Sequence, residues 1–83
     1  MKIKIKYFAS IREALGTGGE QRETAAATLA QLRDELIATS PAYAAGLARS
    51  RPVRMALDQV MSDEASALVE GCEVAFFPPV TGG

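Results

Sequence analysis

The chain ends in Glu73-Val74-Ala75-Phe76-Phe77-Pro78-Pro79-Val80-Thr81-Gly82-Gly83, and the fold follows from what this segment can and cannot pair with. Glu73 to Phe77 has the composition of a strand, and it runs directly into two prolines. Proline fixes φ and lacks an N–H, so a strand that reaches Phe77 can neither go on pairing at 78 and 79 nor turn into a helix there. It leaves the sheet extended. From Pro78 to Gly83 the chain reaches roughly 20 Å at ~3.3 Å per residue, and Gly82-Gly83 has no side chains, so it fits a passage where a β-carbon would clash. The expectation is a body, residues 1–77, built to hold out a tail, residues 78–83, whose working group is a carboxyl at Gly83. A bare Gly-Gly is ordinarily frayed linker. The aromatic strand and the stiff Pro-Pro ahead of it argue against that here.

A strand that launches a tail needs partners, and the other end of the chain offers one. Lys2-Ile3-Lys4-Ile5-Lys6-Tyr7 alternates strictly, which puts Ile3, Ile5 and Tyr7 on one face and three lysines on the other. The lysine stripe reads as a solvated strand face rather than a docking surface. In the last strand Val74 and Phe76 share one face, while Glu73, Ala75 and Phe77 share the other. Between the two lies the main helix. Thr28-Leu29-Ala30-Gln31 has the spacing of a capping box, and Leu29, Leu32, Leu36 and Ile37 form one helical stripe. Gln31, Arg33, Asp34 and Glu35 surround that stripe, and Pro41 after Ser40 stops the helix.

The remaining segments are shorter. Ser10-Ile11-Arg12-Glu13 predicts a second capping box and a helical turn or two, ended by Gly16. Gly16-Thr17-Gly18-Gly19 makes a loop; it lacks the Gly-Lys-Ser/Thr of a phosphate-cradling loop, so no nucleotide site follows. Glu20 to Ala26 is β-compatible and predicts a second strand paired with the first. Tyr43 to Ser50 predicts a short helix weakened by Gly46. Arg49, Arg51 and Arg54 crowd together, and a solvated loop edge is preferred to an anion-binding patch. Val53, Met55 and Leu57 alternate into a strand, Asp58-Gln59 turns it, and Val60-Met61 begins a return. Ala67-Leu68-Val69 folds back on the core, and Glu70-Gly71 turns the chain into its last strand.

Strand, strand, helix, strand, short strand, strand predicts an α+β fold: a mixed sheet of four to five strands with one main helix packed on one face. The β-grasp arrangement fits this order best, with first and last strands parallel in the centre because a helix-bearing crossover separates them. The helix side should take Ile3, Ile5, Tyr7, Val74 and Phe76. Phe8, Met61 and Phe77 fall on the other face, and aromatics gathered on an open face predict a partner interface.

Composition bounds the function. A chain of 83 residues allows one domain with a small core. Nine basic and ten acidic residues leave a net charge of −1, which provides no field for nucleic acid or an anionic membrane. No apolar run is long enough to span a membrane, and the lysine-studded start is unlike a signal peptide, so a cytoplasmic protein is expected. There is one cysteine, Cys72, and no histidine. That excludes an internal disulfide, a Cys/His zinc site and an imidazole-assisted nucleophile. Cys72 reads as a small turn residue in preference to a sulfur-relay thiol. Catalytic acids, bases and metals must therefore come from elsewhere.

Val74 to Gly83 resembles the C-terminal signature of the small subunits of molybdopterin synthase, a family of ubiquitin-like sulfur carriers. Tyr7-Phe8-Ala9-Ser10-Ile11-Arg12-Glu13 is similar to that family's first strand and following turn. The resemblance implies a β-grasp fold and no bound cofactor. It further implies that an ATP-using adenylyltransferase akin to the ubiquitin-activating enzymes adenylates Gly83, and that sulfur replaces AMP to give a thiocarboxylate there. Pro78, Pro79, Val80, Thr81 and Gly82 would then thread into the large synthase subunit, where the sulfur converts cyclic pyranopterin monophosphate to molybdopterin. On this view the chain is a non-catalytic donor subunit. A carrier of another pathway, such as the thiamine-thiazole one, and a ubiquitin-like modifier joined through Gly83 to lysines share the tail chemistry. A pure interaction module would use only the open aromatic face and would not need its last glycine.

Overall fold

Ile3, Ile5 and Tyr7 are each 1% exposed, while Lys2, Lys4 and Lys6 face solvent, so the alternation in sequence is the alternation in space. These residues form β1 (Lys2–Tyr7) in a computed structural model that describes residues 1–79. β2 (Gly19–Glu23) pairs with β1 antiparallel, with Ile5 opposite Glu20 and Ile3 opposite Arg22. β3 (Arg54–Leu57) and β4 (Val60–Ser62) form a hairpin, and β5 (Glu73–Phe77) is the last strand. The sheet order is β2-β1-β5-β3-β4. β5 runs parallel to β1, with Ile5 opposite Val74 and Tyr7 opposite Phe76, and antiparallel to β3. First and last strands are thus parallel neighbours in the centre, as the crossover argument predicts.

α1 (Ala9–Leu15), α2 (Leu29–Ile37) and α3 (Pro41–Leu47) are the helical elements of the described residues. In α2, Leu29, Leu32 and Leu36 have no exposed surface, and Ile37 packs partly buried at the stripe's edge. Thr28 caps the helix: its Oγ1 accepts from the Gln31 N–H at 3.2 Å. The Gln31 side chain returns the bond to Ala27 N–H at 2.7 Å, one residue earlier than the usual box. With Val74 and Phe76 from β5, Met55 from β3, and Ile11, Leu47 and Leu68, these leucines complete one core.

Three expectations are corrected. The helix after β1 starts at Ala9, so its N-cap is Phe8, which makes no side-chain cap bond, and Ser10 lies inside the helix rather than at its cap. The cause is Phe8, whose N–H donates to the Phe76 carbonyl at 3.1 Å and holds that residue to the sheet, while its own carbonyl accepts from Ile11 and Arg12. Ala9 makes the sharp transition with φ 52, a left-handed value unusual for alanine. Second, the strand expected over Glu20–Ala26 spans only Gly19–Glu23. Thr24 is buried and turns inward, its Oγ1 donating to Glu35 Oε1 at 2.6 Å and accepting from Ala26 N–H at 3.0 Å. Third, Gly46 is a packing requirement more than a weakness. A β-carbon there would run into Leu15 Cδ1 and Ala14 Cβ, so its absence lets α3 lie against α1.

Asp58 and Gln59, both at positive φ, make the β3–β4 turn. The turn is tied to β5 twice: the Asp58 N–H donates to the Glu73 carbonyl at 2.8 Å, and Asp58 Oδ1 accepts from the Glu73 N–H at 2.9 Å. At the opposite edge, Glu20 accepts from Tyr7 Oη at 3.0 Å and from Tyr43 Oη. Burial, and then the Glu20 carboxylate, push the Tyr7 phenol well above its ordinary pKa. Burial alone would raise the Glu35 carboxyl, but bonds from Thr24 and Arg22 outweigh it and hold the group below its ordinary value.

Candidate functional site

The site begins where β5 ends. Phe77 is the last strand residue and stands opposite Arg54 of β3; Pro78 and Pro79 follow outside the sheet, partly buried. Because β5 is held between β1 and β3, the point at which the chain leaves the sheet is set by the two most central strand pairings of the molecule. Val80, Thr81, Gly82 and Gly83, the rest of the predicted tail, lie outside the described residues.

A groove of about 240 Å³ sits at the root of the tail, lined by Ser10, Ile11, Gly46, Arg51, Pro52 and Val53 together with Pro78 and Pro79. Sequence reading missed this wall. In sequence Arg51 and Pro52 belong to a charged loop edge and Val53 to the start of a strand, and nothing in their spacing points across the fold to Pro78.

The open face of the sheet carries the predicted interface residues. Across it runs one row in register: Lys6, Ala75, Ala56 and Met61. Phe8 and Phe77 lie beyond that row at the ends of β1 and β5, joined through the Phe8 N–H bond to the Phe76 carbonyl. Phe8 is 46% exposed and Met61 52%, while Phe77 is only half-buried, so the face is apolar at its centre without being fully open there. Phe8 and Phe77 are therefore neighbours, and Met61 stands two strands away from β5 on the same face. Lys4 and Lys6 border the patch; Lys6 Nζ lies 3.5 Å from Glu73.

The arginine cluster is divided. Arg49 is engaged with Asp34 at 2.9 Å and with Glu64, so it is not a free anion site. Those carboxylates, through the Asp34 hydrogen bond first, raise its already high pKa. Arg33, which flanks the α2 stripe in sequence, is only 5% exposed. Cys72 is more than a turn residue: it is 3% exposed and part of the core, where a thiol is shielded from partners. Among the described residues no group of three or more His, Cys, Asp or Glu side chains converges on a point, and no helix is long and apolar enough to cross a membrane.

The sequence pattern of the ThiS family matches residues 5–83. The chain is 37% identical over 81 residues to the molybdopterin synthase sulfur carrier subunit of Escherichia coli (strain K12), covering 98% of this chain and 99% of that one. Among solved structures it is similar to SAMP1 from Haloferax volcanii, with a TM-score of 0.79 at 24% identity over all of both chains. It is also similar to a chain in the complex of subunits 1 and 2 of molybdopterin-converting factor from Helicobacter pylori 26695, with a TM-score of 0.71 at 23% identity over all of both chains. These likenesses bear out the β-grasp reading of the sheet and helices, and the resemblance seen in Val74–Gly83 extends along the chain. By sequence over nearly its whole length, this chain belongs to the ThiS family.

Proposed function

We propose that this chain is the sulfur carrier of molybdopterin synthesis, acting from a terminal carboxyl at Gly83. The observation that carries the reading is the launch of the tail: the central parallel strand β5 ends at Phe77 and passes directly to Pro78 and Pro79. Support comes from the full-length relation to a molybdopterin synthase sulfur carrier subunit and from a fold neighbour that is a chain of a two-subunit molybdopterin-converting factor.

A carboxylate with a pKa near ~3.5 is anionic at neutral pH and a poor electrophile. Its oxygen attacks the α-phosphorus of ATP on an adenylyltransferase akin to the ubiquitin-activating enzymes, releasing pyrophosphate and leaving an acyl adenylate. Hydrosulfide, or a donor at the same oxidation level, then attacks the acyl carbon, the C–O bond to AMP breaks with AMP as the leaving group, and loss of the S–H proton leaves Gly83 as a thiocarboxylate. Within a large synthase subunit that sulfur passes to cyclic pyranopterin monophosphate; the acyl–sulfur bond breaks, a water oxygen takes its place on the acyl carbon, and the carboxylate is regenerated. The chain supplies reach and a side-chain-free tip; acids and bases belong to its partners. Phe8, Met61 and Phe77 form the surface on which those partners seat the body, and Pro78 to Gly82 the segment that threads inward.

Reconstitution tests this. The thiocarboxylated chain and a large subunit together should convert the precursor to molybdopterin, with one acyl sulfur consumed per sulfur transferred. Deleting Gly83 should abolish conversion while binding persists. Conversion undiminished by the deletion would overturn the carrier reading.

A further inference from the structure

Arg33 is the one buried charged side chain among the described residues, and its partners lie far from it in sequence. Its Nε donates to the Leu47 carbonyl at 2.8 Å; its Nη2 donates to the Ala48 carbonyl at 2.8 Å and the Arg51 carbonyl at 3.2 Å. Nη1 faces Glu64 Oε1 at 3.4 Å. Three of these four acceptors are backbone carbonyls of one segment, running from the end of α3 through the turn that the Arg51 N–H closes on the Ala48 carbonyl at 2.9 Å. A planar guanidinium with donors at fixed angles holds such a segment in one shape; an ammonium on a flexible stem does not. The segment has no ladder of its own, since Ala48–Val53 belongs to neither helix nor strand.

What the clamp holds is one wall of the groove at the root of the tail. Arg51, Pro52 and Val53 face Pro78 and Pro79 across it, with Gly46, Ser10 and Ile11 closing the rest. We propose that Arg33 is a positioning residue for the tail: by fixing the 47–51 backbone from beneath, it seats Pro52 and Val53 against Pro78–Pro79 and so sets the direction in which the tail leaves the body. A tail aimed in advance loses less conformational freedom on entering a partner's channel than one that sweeps freely, and this difference appears as affinity. The inference rests on the carrier reading for what the tail enters.

The test is a cycle between Arg33 and the tail. Binding to a large synthase subunit is measured by calorimetry for the full chain and for a chain lacking 80–83, each with and without Arg33→Lys. Arg33→Lys should weaken the full chain about tenfold and leave the truncated chain unchanged. Pro52→Gly, at an exposed position outside the core cluster, should give the same pattern and serves if Arg33→Lys does not fold. Equal losses in full and truncated chains, or no loss in either, overturn the proposal, because a merely structural arginine acts alike on both. Failure of the carrier reading looks different: truncation would not change the affinity of the unsubstituted chain. In that case the partner-free measurement decides. Arg33→Lys should shift the proton and carbon resonances of Pro78 and Pro79 while the methyl resonances of Ile3 and Val74 stay in place, and unmoved proline resonances would overturn the proposal.

Discussion

Leu32 has no exposed surface and sits in the middle of the α2 stripe, so truncating it leaves a cavity that a core of this size has little slack to fill. Leu32→Ala should cost roughly 2 to 5 kcal/mol, read from chemical or thermal unfolding; a loss under about 1 kcal/mol would mean the stripe is not the buried face. Tyr7 carries a pH signature. Burial first, and the adjoining Glu20 carboxylate second, raise its pKa in the folded state, so above ~10 the native chain holds a proton that the unfolded chain releases. Its contribution is complete below that pH and is lost as pH climbs further. Tyr7→Phe should flatten the alkaline fall in unfolding midpoints, leaving the smaller part due to Tyr43, which the same Glu20 raises through its hydrogen bond. An unchanged alkaline limb would contradict this. Residues whose place depends on their own strand or helix period were legible from sequence: Ile3, Ile5, Tyr7, Val74 and Leu32. Arg33 and Cys72 were not. Arg33 is buried because carbonyls at 47, 48 and 51 come to it, and Cys72 because, just before β5, it joins the core cluster. No periodicity encodes either contact.

Two segments with the same capping pattern behave differently at the scale of the element. Thr28 caps α2 through its hydroxyl, whereas Ser10 lies past the start of α1. Thr28→Ala should therefore lower stability by about 1 kcal/mol, while Ser10→Ala should change it by less than about 0.5 kcal/mol; paired denaturation curves check both, and similar losses would restore Ser10 as a cap. The pattern misled because it is blind to where the preceding strand ends, and Phe8's bond to Phe76 fixes that end. Strand existence, the two-faced alternation and the order of elements were all readable, since each strand with one buried face shows period two. The extent of β2 was not: its side chains are polar throughout, and only the inward turn of Thr24 toward Glu35 decides where pairing stops. The contribution of α3 was also hidden, because Gly46 reads as a helix weakener until α1 is seen against it.

As a whole the molecule is a sheet with one face spent on its own core and the other left with Phe8, Met61 and Phe77 beside lysines. Phe8→Arg and Phe77→Arg should leave the isolated domain folded while weakening binding to a large synthase subunit by at least ~2 kcal/mol, measured by calorimetry with circular dichroism as the folding control. Unfolding of either variant would place that residue in the core instead. The open face and the exit of the chain at Pro78 and Pro79 were legible from sequence, because prolines and strand phase are local signals. The groove at that exit was not, because its walls come from α1, α3, the 48–53 segment and the start of the tail. Whether Gly83 carries sulfur, as proposed, is read most directly from the intact mass of the chain purified from cells. Part of the untruncated protein should show the mass of one sulfur in place of one oxygen; that species should vanish when Gly83 is deleted and persist in Cys72→Ser. Higher-mass conjugates through lysine with no sulfur-bearing species, or a sulfur mass that follows Cys72 rather than Gly83, would contradict it.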